Sequence, residues 1–151
     1  MFFATHLATG LALGRRIRPP AAACAAGIVS HLVLDRTPHW DAFNATVSWT
    51  TPRNLLAVLS DVTAAALVAT LARRRRWICR GHLGAAWGAL GAMLPDLLWV
   101  PYHVLGVRRP RWVFDYHGRI QRPARWGPSL LVQVALVALS LWRADRNPHR
   151  C

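Results

Sequence analysis

The chain has 151 residues and a formal charge of +13, carried by 19 arginines and no lysine against six aspartates and no glutamate. Yet 54% of the residues are hydrophobic and the arginines cluster between long uncharged runs, which excludes a disordered tail and argues against a soluble nucleic-acid binder. Three scattered cysteines, Cys24, Cys79 and Cys151, form no C-x-x-C pair and exclude a disulfide scaffold.

The apolar runs predict an all-α fold, a membrane-embedded helical bundle of four to five spans in a single integral membrane domain over residues 1–151. The first run, 2–14, holds His6. Arg15, Arg16 and Arg18 follow this run instead of preceding it, so it does not read as a secretory signal. The second run, 21–35, ends on His31 and Asp35, and Pro38 predicts that the helix stops before His39. Both runs are shorter than the about 20 residues of a perpendicular crossing and are expected to tilt or to thin the bilayer.

The third run, 54–72, carries Asp61 and is followed by the arginine run 73–76, read as a stop signal on the cytoplasmic side. The fourth run, 83–107, opens with Gly84 and Gly88 in a G-x-x-x-G pattern, with Gly91 beyond, which lets a neighbouring backbone come close. Pro95 is expected to break this span, a break tolerated where the freed backbone lines a cavity or packs on protein. Asp96 follows it directly. The fifth run is 126–142. With the N-terminus outside, the inside segments hold eleven arginines against eight on the other side, and Trp40, Trp49, Trp112 and Trp126 read as interface anchors.

Antiparallel spans place the start of the first, the end of the second, the start of the third and the end of the fourth in one leaflet. His6, Asp35, Asp61, Asp96 and His103 then converge on one face of the membrane, with His117 in the loop just beyond. An aspartate inside a span costs about 2.5–3.5 kcal/mol on insertion scales, so Asp61 and Asp96 predict partners and a functional interior. His31 and Asp35 are spaced i, i+4 and leave one helical face, a spacing that lets an imidazole and a carboxylate hold one ion. His39 can join them from the turn. Nitrogen and carboxylate donors together suit Zn²⁺, with Mn²⁺ or Fe²⁺ as alternatives. The plainer alternatives are a hydrogen-bonded His–Asp pair, helix-start positions for Asp61 after Ser60 and Asp96 after Pro95, and an interfacial His103 beside Trp99 and Tyr102.

Three segments carry a resemblance: Ala4-Thr5-His6-Leu7-Ala8-Thr9-Gly10, Ser30-His31-Leu32-Val33-Leu34-Asp35-Arg36-Thr37-Pro38-His39-Trp40-Asp41, and Leu94-Pro95-Asp96. Together they resemble the YdjM-type inner-membrane metal-dependent hydrolases, a group thought to be distantly related to zinc-dependent phospholipase C and the single-strand-specific zinc nucleases. The resemblance implies a multi-pass protein of the bacterial inner (cytoplasmic) membrane and a metal site at His6, His31, Asp35 and Asp96. It also carries over His117, in His117-Gly118-Arg119-Ile120-Gln121, as a catalytic candidate. The chain departs from the soluble zinc phospholipases in having no second His-x-x-x-Asp or His-x-x-x-Glu pair, so one or two ions are expected rather than three.

The expected function is therefore a metal-dependent hydrolase of a phosphoester such as a phospholipid head group. A divalent ion, Zn²⁺ first among the choices, would lower the pKa of a water toward about 7 and polarise the phosphoryl oxygen. Asp61 is the candidate bridging ligand or general base. Arg119 and Arg122 are the candidate phosphate contacts, since guanidinium binds phosphate bidentately, although plain attraction to anionic lipid explains them equally well. Membrane lipids are the expected partners, and no nucleic acid. The rival is a non-enzymatic membrane protein that transports or senses a divalent metal or a proton, for which intramembrane Asp and His relays are known.

Overall fold

In the computed structural model, residues 1–40, 51–79, 83–98, 115–116, 119–120, 122 and 124–146 are described. They form five long helices and no sheet: α1 (Phe3–Gly14), α2 (Pro20–Arg36), α3 (Pro52–Arg74), α4 (Gly84–Leu97) and α5 (Trp126–Asp145). The all-α expectation holds for this part of the chain.

The helix ends follow from local chemistry. Pro20 and Pro52 stand in the first turns of α2 and α3, where the missing N–H has no intrahelical partner to lose. The Thr51 hydroxyl caps α3 by accepting from the Asn54 amide at 3.3 Å. Thr37 ends α2 in an extended conformation (φ −69°, ψ 132°), as the clash with the following Pro38 requires. At the end of α3, Arg76 is left-handed at φ 53°. The Trp77 amide then bonds back to the Ala72 carbonyl at 2.9 Å and the Arg76 amide to Arg73 at 3.1 Å. This is a Schellman cap with arginine in the place usually taken by glycine.

α1 is the centre of the bundle, packed against each of the other four helices, while α2 also lies along α4. Small residues let them approach. The Gly88 carbonyl of α4 is wedged between Gly10 of α1 and Gly27 of α2, so closely that a Cβ on either would strike it. The predicted glycine pattern of the fourth run is thus used at a helix crossing. One correction concerns Pro95, which lies inside α4 rather than at its end. The helix continues to Leu97, because a proline near a C-terminus removes one hydrogen bond and leaves the turn before it intact. The remainder of the run 83–107 falls outside the described residues.

An apolar core of Ala8, Leu11, Ala12, Val68, Ala72, Trp77, Ala85, Ala89 and Ala144 fills the half of the bundle around the end of α1. The half around its start is polar: Thr5, His6, His31, Asp35, His39, Asp61, Ser129 and Gln133 are all buried there. Two helical stretches, Asn54–Arg74 and Trp126–Asp145, are long and apolar enough to cross a membrane by length and composition. α1, α2 and α4, at 12, 17 and 14 residues, fall short of the about 20 a perpendicular crossing takes.

Candidate metal centre

The polar half is assembled from the start of α1 and the ends of α2 and α4. His6 stands one turn into α1, His31 and Asp35 share a face in the last turns of α2, and Asp96 follows Pro95 near the end of α4. The His6 and His31 rings stack with centroids 4.0 Å apart and planes 23° from parallel. Both Nε2 atoms therefore address the same carboxylates. His6 Nε2 lies 3.2 Å from Asp35 Oδ1 and 4.0 Å from Asp96 Oδ2. His31 Nε2 lies 3.1 Å from Asp35 Oδ2 and 3.7 Å from Asp96 Oδ1. The side chains of His6, His31 and Asp35 are 0% exposed, whereas that of Asp96 is 17% exposed.

Hydrogen bonding decides what this arrangement can hold. His31 Nδ1 is 2.8 Å from the Ala92 carbonyl oxygen, which can only accept, so Nδ1 carries the hydrogen. Nε2 can then either carry a second proton and donate to Asp35 Oδ2 at 3.1 Å or present a lone pair to a cation; the Met1 ammonium already lies 2.9 Å from Asp35 Oδ1. A metal-ligating histidine usually has this form, its far ring N–H held by a backbone carbonyl. His6 is fully buried, and neither of its ring nitrogens makes a hydrogen bond among the described residues.

The spacings fit an ion. Tetrahedral donors about 2.0–2.1 Å from Zn²⁺ stand about 3.3–3.4 Å from one another. The four distances between imidazole nitrogen and carboxylate oxygen, 3.1–4.0 Å, bracket that value. One ligand atom each from His6, His31 and Asp96 can be chosen so that all three lie within 4.8 Å of one another. These three offer two nitrogens and one carboxylate, and Asp35 lies beside them with its Oδ1 on the Met1 amino group.

His39 is placed at the edge of the cluster, its Nε2 3.9 Å from Asp35 Oδ1. Its nitrogens have other company: Nδ1 is 2.7 Å from the Thr37 carbonyl and Nε2 is 2.8 Å from the Met1 amino group. The same amino group donates to Asp35 Oδ1 at 2.9 Å. The backbone of His39 pairs with the later segment through His39 N–H to the Arg122 carbonyl and Ala124 N–H to the His39 carbonyl, both 2.9 Å. This brings the backbone of Arg122 beside the cluster while its side chain, like that of Arg119, is exposed. His117 and His103 lie outside the described residues.

Asp61 is brought to the same end of the bundle but in a different setting. Its two oxygens accept from the amides of Phe3 and Ala4 at 2.8 and 3.0 Å, the first free N–H groups of α1. Neither Met1 nor Phe2 has a side chain able to cap that helix, so a carboxylate from α3 does so, where the helix dipole also favours negative charge. Sequence reasoning missed the counterpart on α5. Gln133 Oε1 accepts from the Phe2 amide at 2.8 Å, and Ser129 Oγ accepts from the Trp40 amide at 2.6 Å. The available signal was an amide in the middle of an apolar span, which needs a partner as surely as an aspartate does.

Comparison of the chain with protein-family models, with curated proteins and with solved structures returned no match.

Proposed function

We propose that this protein is a multi-pass membrane hydrolase that uses a divalent metal ion, with Zn²⁺ as the best fit, to cleave a phosphoester such as a phospholipid head group. The observation that carries this reading is the buried meeting of two imidazole nitrogens and two carboxylates at 3.1–4.0 Å. His6, His31, Asp35 and Asp96 would hold the ion. An ion bound there supplies Lewis acidity to a phosphoryl oxygen and an activated water. The chain's own residues orient it: the Ala92 carbonyl fixes the His31 ring, and Asp61 fixes the helix that presents His6. Both Asp61 oxygens already serve backbone amides, which supports a positioning part for it rather than proton transfer.

Membrane embedding is supported by the way residue types are distributed. On α3 the buried positions include Asn54 and Asp61, while Leu55, Leu56, Leu59, Val62 and Leu67 are exposed. On α5 Ser129, Gln133 and Ser140 are buried, while Leu131, Val132, Val134 and Leu139 are exposed. Only 17% and 22% of the two apolar windows are buried, whereas the core helix of a water-soluble domain is mostly covered. Polar residues inside and leucines outside is the pattern of a bundle solvated by lipid, where chains of buried polar groups must satisfy one another. The bacterial inner membrane is proposed from the sequence resemblance.

Burial of three of the four donors favours one further reading, a protein that binds a metal to carry or sense it. Metal analysis of detergent-purified protein, followed by assay of head-group release from vesicles of mixed phospholipids, separates the two. The hydrolase reading expects about one or more equivalents of ion and release that stops in Asp96→Ala. Bound metal without release supports the carrier, and protein that takes up no ion overturns both.

A further inference from the structure

We propose that Gln133 of α5, with Ser129 one turn before it, is a positioning residue that sets the separation of the donors on α1 and α2. The inference rests on the metal-centre reading above. It starts from the ties that hold the ends carrying His6 and Asp35: Asp61 caps the start of α1, the Met1 amino group bonds Asp35 and His39, and α5 adds a separate tie between the two segments. Phe2, at the head of α1, is one turn before His6; Trp40 follows His39 directly, beyond the end of α2.

The Gln133 amide ties these two points together. Its Oε1 accepts from the Phe2 N–H at 2.8 Å, and its Nε2 donates to the Trp40 carbonyl at 3.3 Å and to Ser129 Oγ at 3.1 Å. Ser129 Oγ in turn accepts from the Trp40 N–H at 2.6 Å. One amide thus spends its acceptor on α1 and its donors on the segment after α2. Only a side chain with both capacities closes this bridge, so glutamate, leucine and alanine each open it in a different way. Gln133 and Ser129 are both 2% exposed, so the network is sheltered from water that would replace its bonds.

A residue that merely strengthens the bundle would act differently, and the same two helices provide the comparison. Ser140 of α5 meets Thr9 of α1 at 3.2 Å, Oγ to Oγ1, about one turn beyond His6. The test measures the Zn²⁺ dissociation constant of full-length protein in detergent by competition with a chromophoric chelator. It also records the Co²⁺ absorption spectrum as a report on donor geometry, and circular dichroism as a report on folding. Outer-shell partners of metal ligands typically change affinity about 10–100-fold. Gln133→Leu is expected to weaken binding within that range and to shift the Co²⁺ bands, and Gln133→Glu to do so as well. Ser140→Ala is expected to stay within about two-fold of wild type, because its bond to Thr9 joins α5 to α1 without reaching the segment after α2. If Gln133→Leu does not fold, Ser129→Ala, which removes the acceptor of the Trp40 amide and one acceptor of Gln133 Nε2, is expected to weaken binding about ten-fold. Unchanged affinity and spectrum in the folded Gln133 or Ser129 variants, or equal weakening in Ser140→Ala, overturns the inference while leaving the metal centre standing. Wild-type protein that binds no Zn²⁺ overturns the metal centre itself.

Discussion

His31 and His39 are eight residues apart and both buried, yet their nitrogens have different company. The Nε2 atom of His39 has the Met1 amino group as a neighbour, whereas the Nε2 atom of His31 faces carboxylates. Removing the two imidazoles should therefore have unequal effects. His31→Ala is expected to abolish stoichiometric metal binding, and His39→Ala to retain the ion with affinity lowered by about 10-fold, the size of an outer-shell loss. Metal analysis after dialysis, with equilibrium titration for His39→Ala, checks both. Asp61→Asn makes a second residue-scale test. The amide keeps one acceptor but loses the charge and turns an N–H toward the α1 amides, so stability is expected to fall by about 1–2 kcal/mol. Unfolding in detergent measures this; a general-base role would instead remove activity at unchanged stability.

At this scale the sequence was most informative where two donors share one helix. The i, i+4 spacing of His31 and Asp35 fixed their common face without any knowledge of the fold. Asp96 was legible as an acid in an apolar run. The partners of Asp61 were not, because a helix capped from another helix leaves no local mark other than the lack of a capping residue at Met1 and Phe2. The same holds for Gln133, whose three bonds reach residues 93 and 131 positions away as well as its own helix.

Among the elements, α4 is the one on which site and packing depend together, since it carries both Gly88 and Asp96. A side chain at Gly88 would meet the Gly10 backbone, so Gly88→Leu must push α1 and α4 apart. The expected outcome is a loss of about 1–3 kcal/mol in stability together with weakened metal binding, because Asp96 moves with the helix away from His6. The Schellman cap of α3 makes the opposite prediction. Arg76 holds a left-handed conformation that glycine adopts freely, so Arg76→Gly is expected to stabilise the protein by about 1 kcal/mol with no effect on metal. Thermal unfolding in one detergent compares the two. The glycine spacing that lets α4 pack was readable in the sequence. The course of the helix through Pro95 was not, because a proline's effect depends on how many turns remain beyond it, and here one half-turn does.

For the whole molecule the governing contrast among the described residues is on α3 and α5, where Asn54, Asp61, Ser129 and Gln133 are buried and most leucines and valines are exposed. Leu56 is 69% and Leu131 73% exposed. Nitroxide labels at these two positions in reconstituted vesicles are expected to collide with oxygen dissolved in lipid and not with a water-soluble nickel chelate. The reverse would place α3 and α5 in water. Composition alone pointed to a lipid-solvated bundle; which helices are long enough to cross required the helix ends, which are set by Thr51, Pro52 and the Arg76 turn rather than by hydropathy.

The claim that joins these scales is that four side chains from three helices share one ion. X-ray absorption at the zinc edge, on protein loaded with one equivalent, tests it most directly. The account predicts a shell of nitrogen and oxygen donors at about 2.0–2.1 Å with the outer scattering of two imidazoles, reduced to one in His6→Ala. A shell that lacks imidazole scattering, or that contains sulfur at about 2.3 Å, would contradict it.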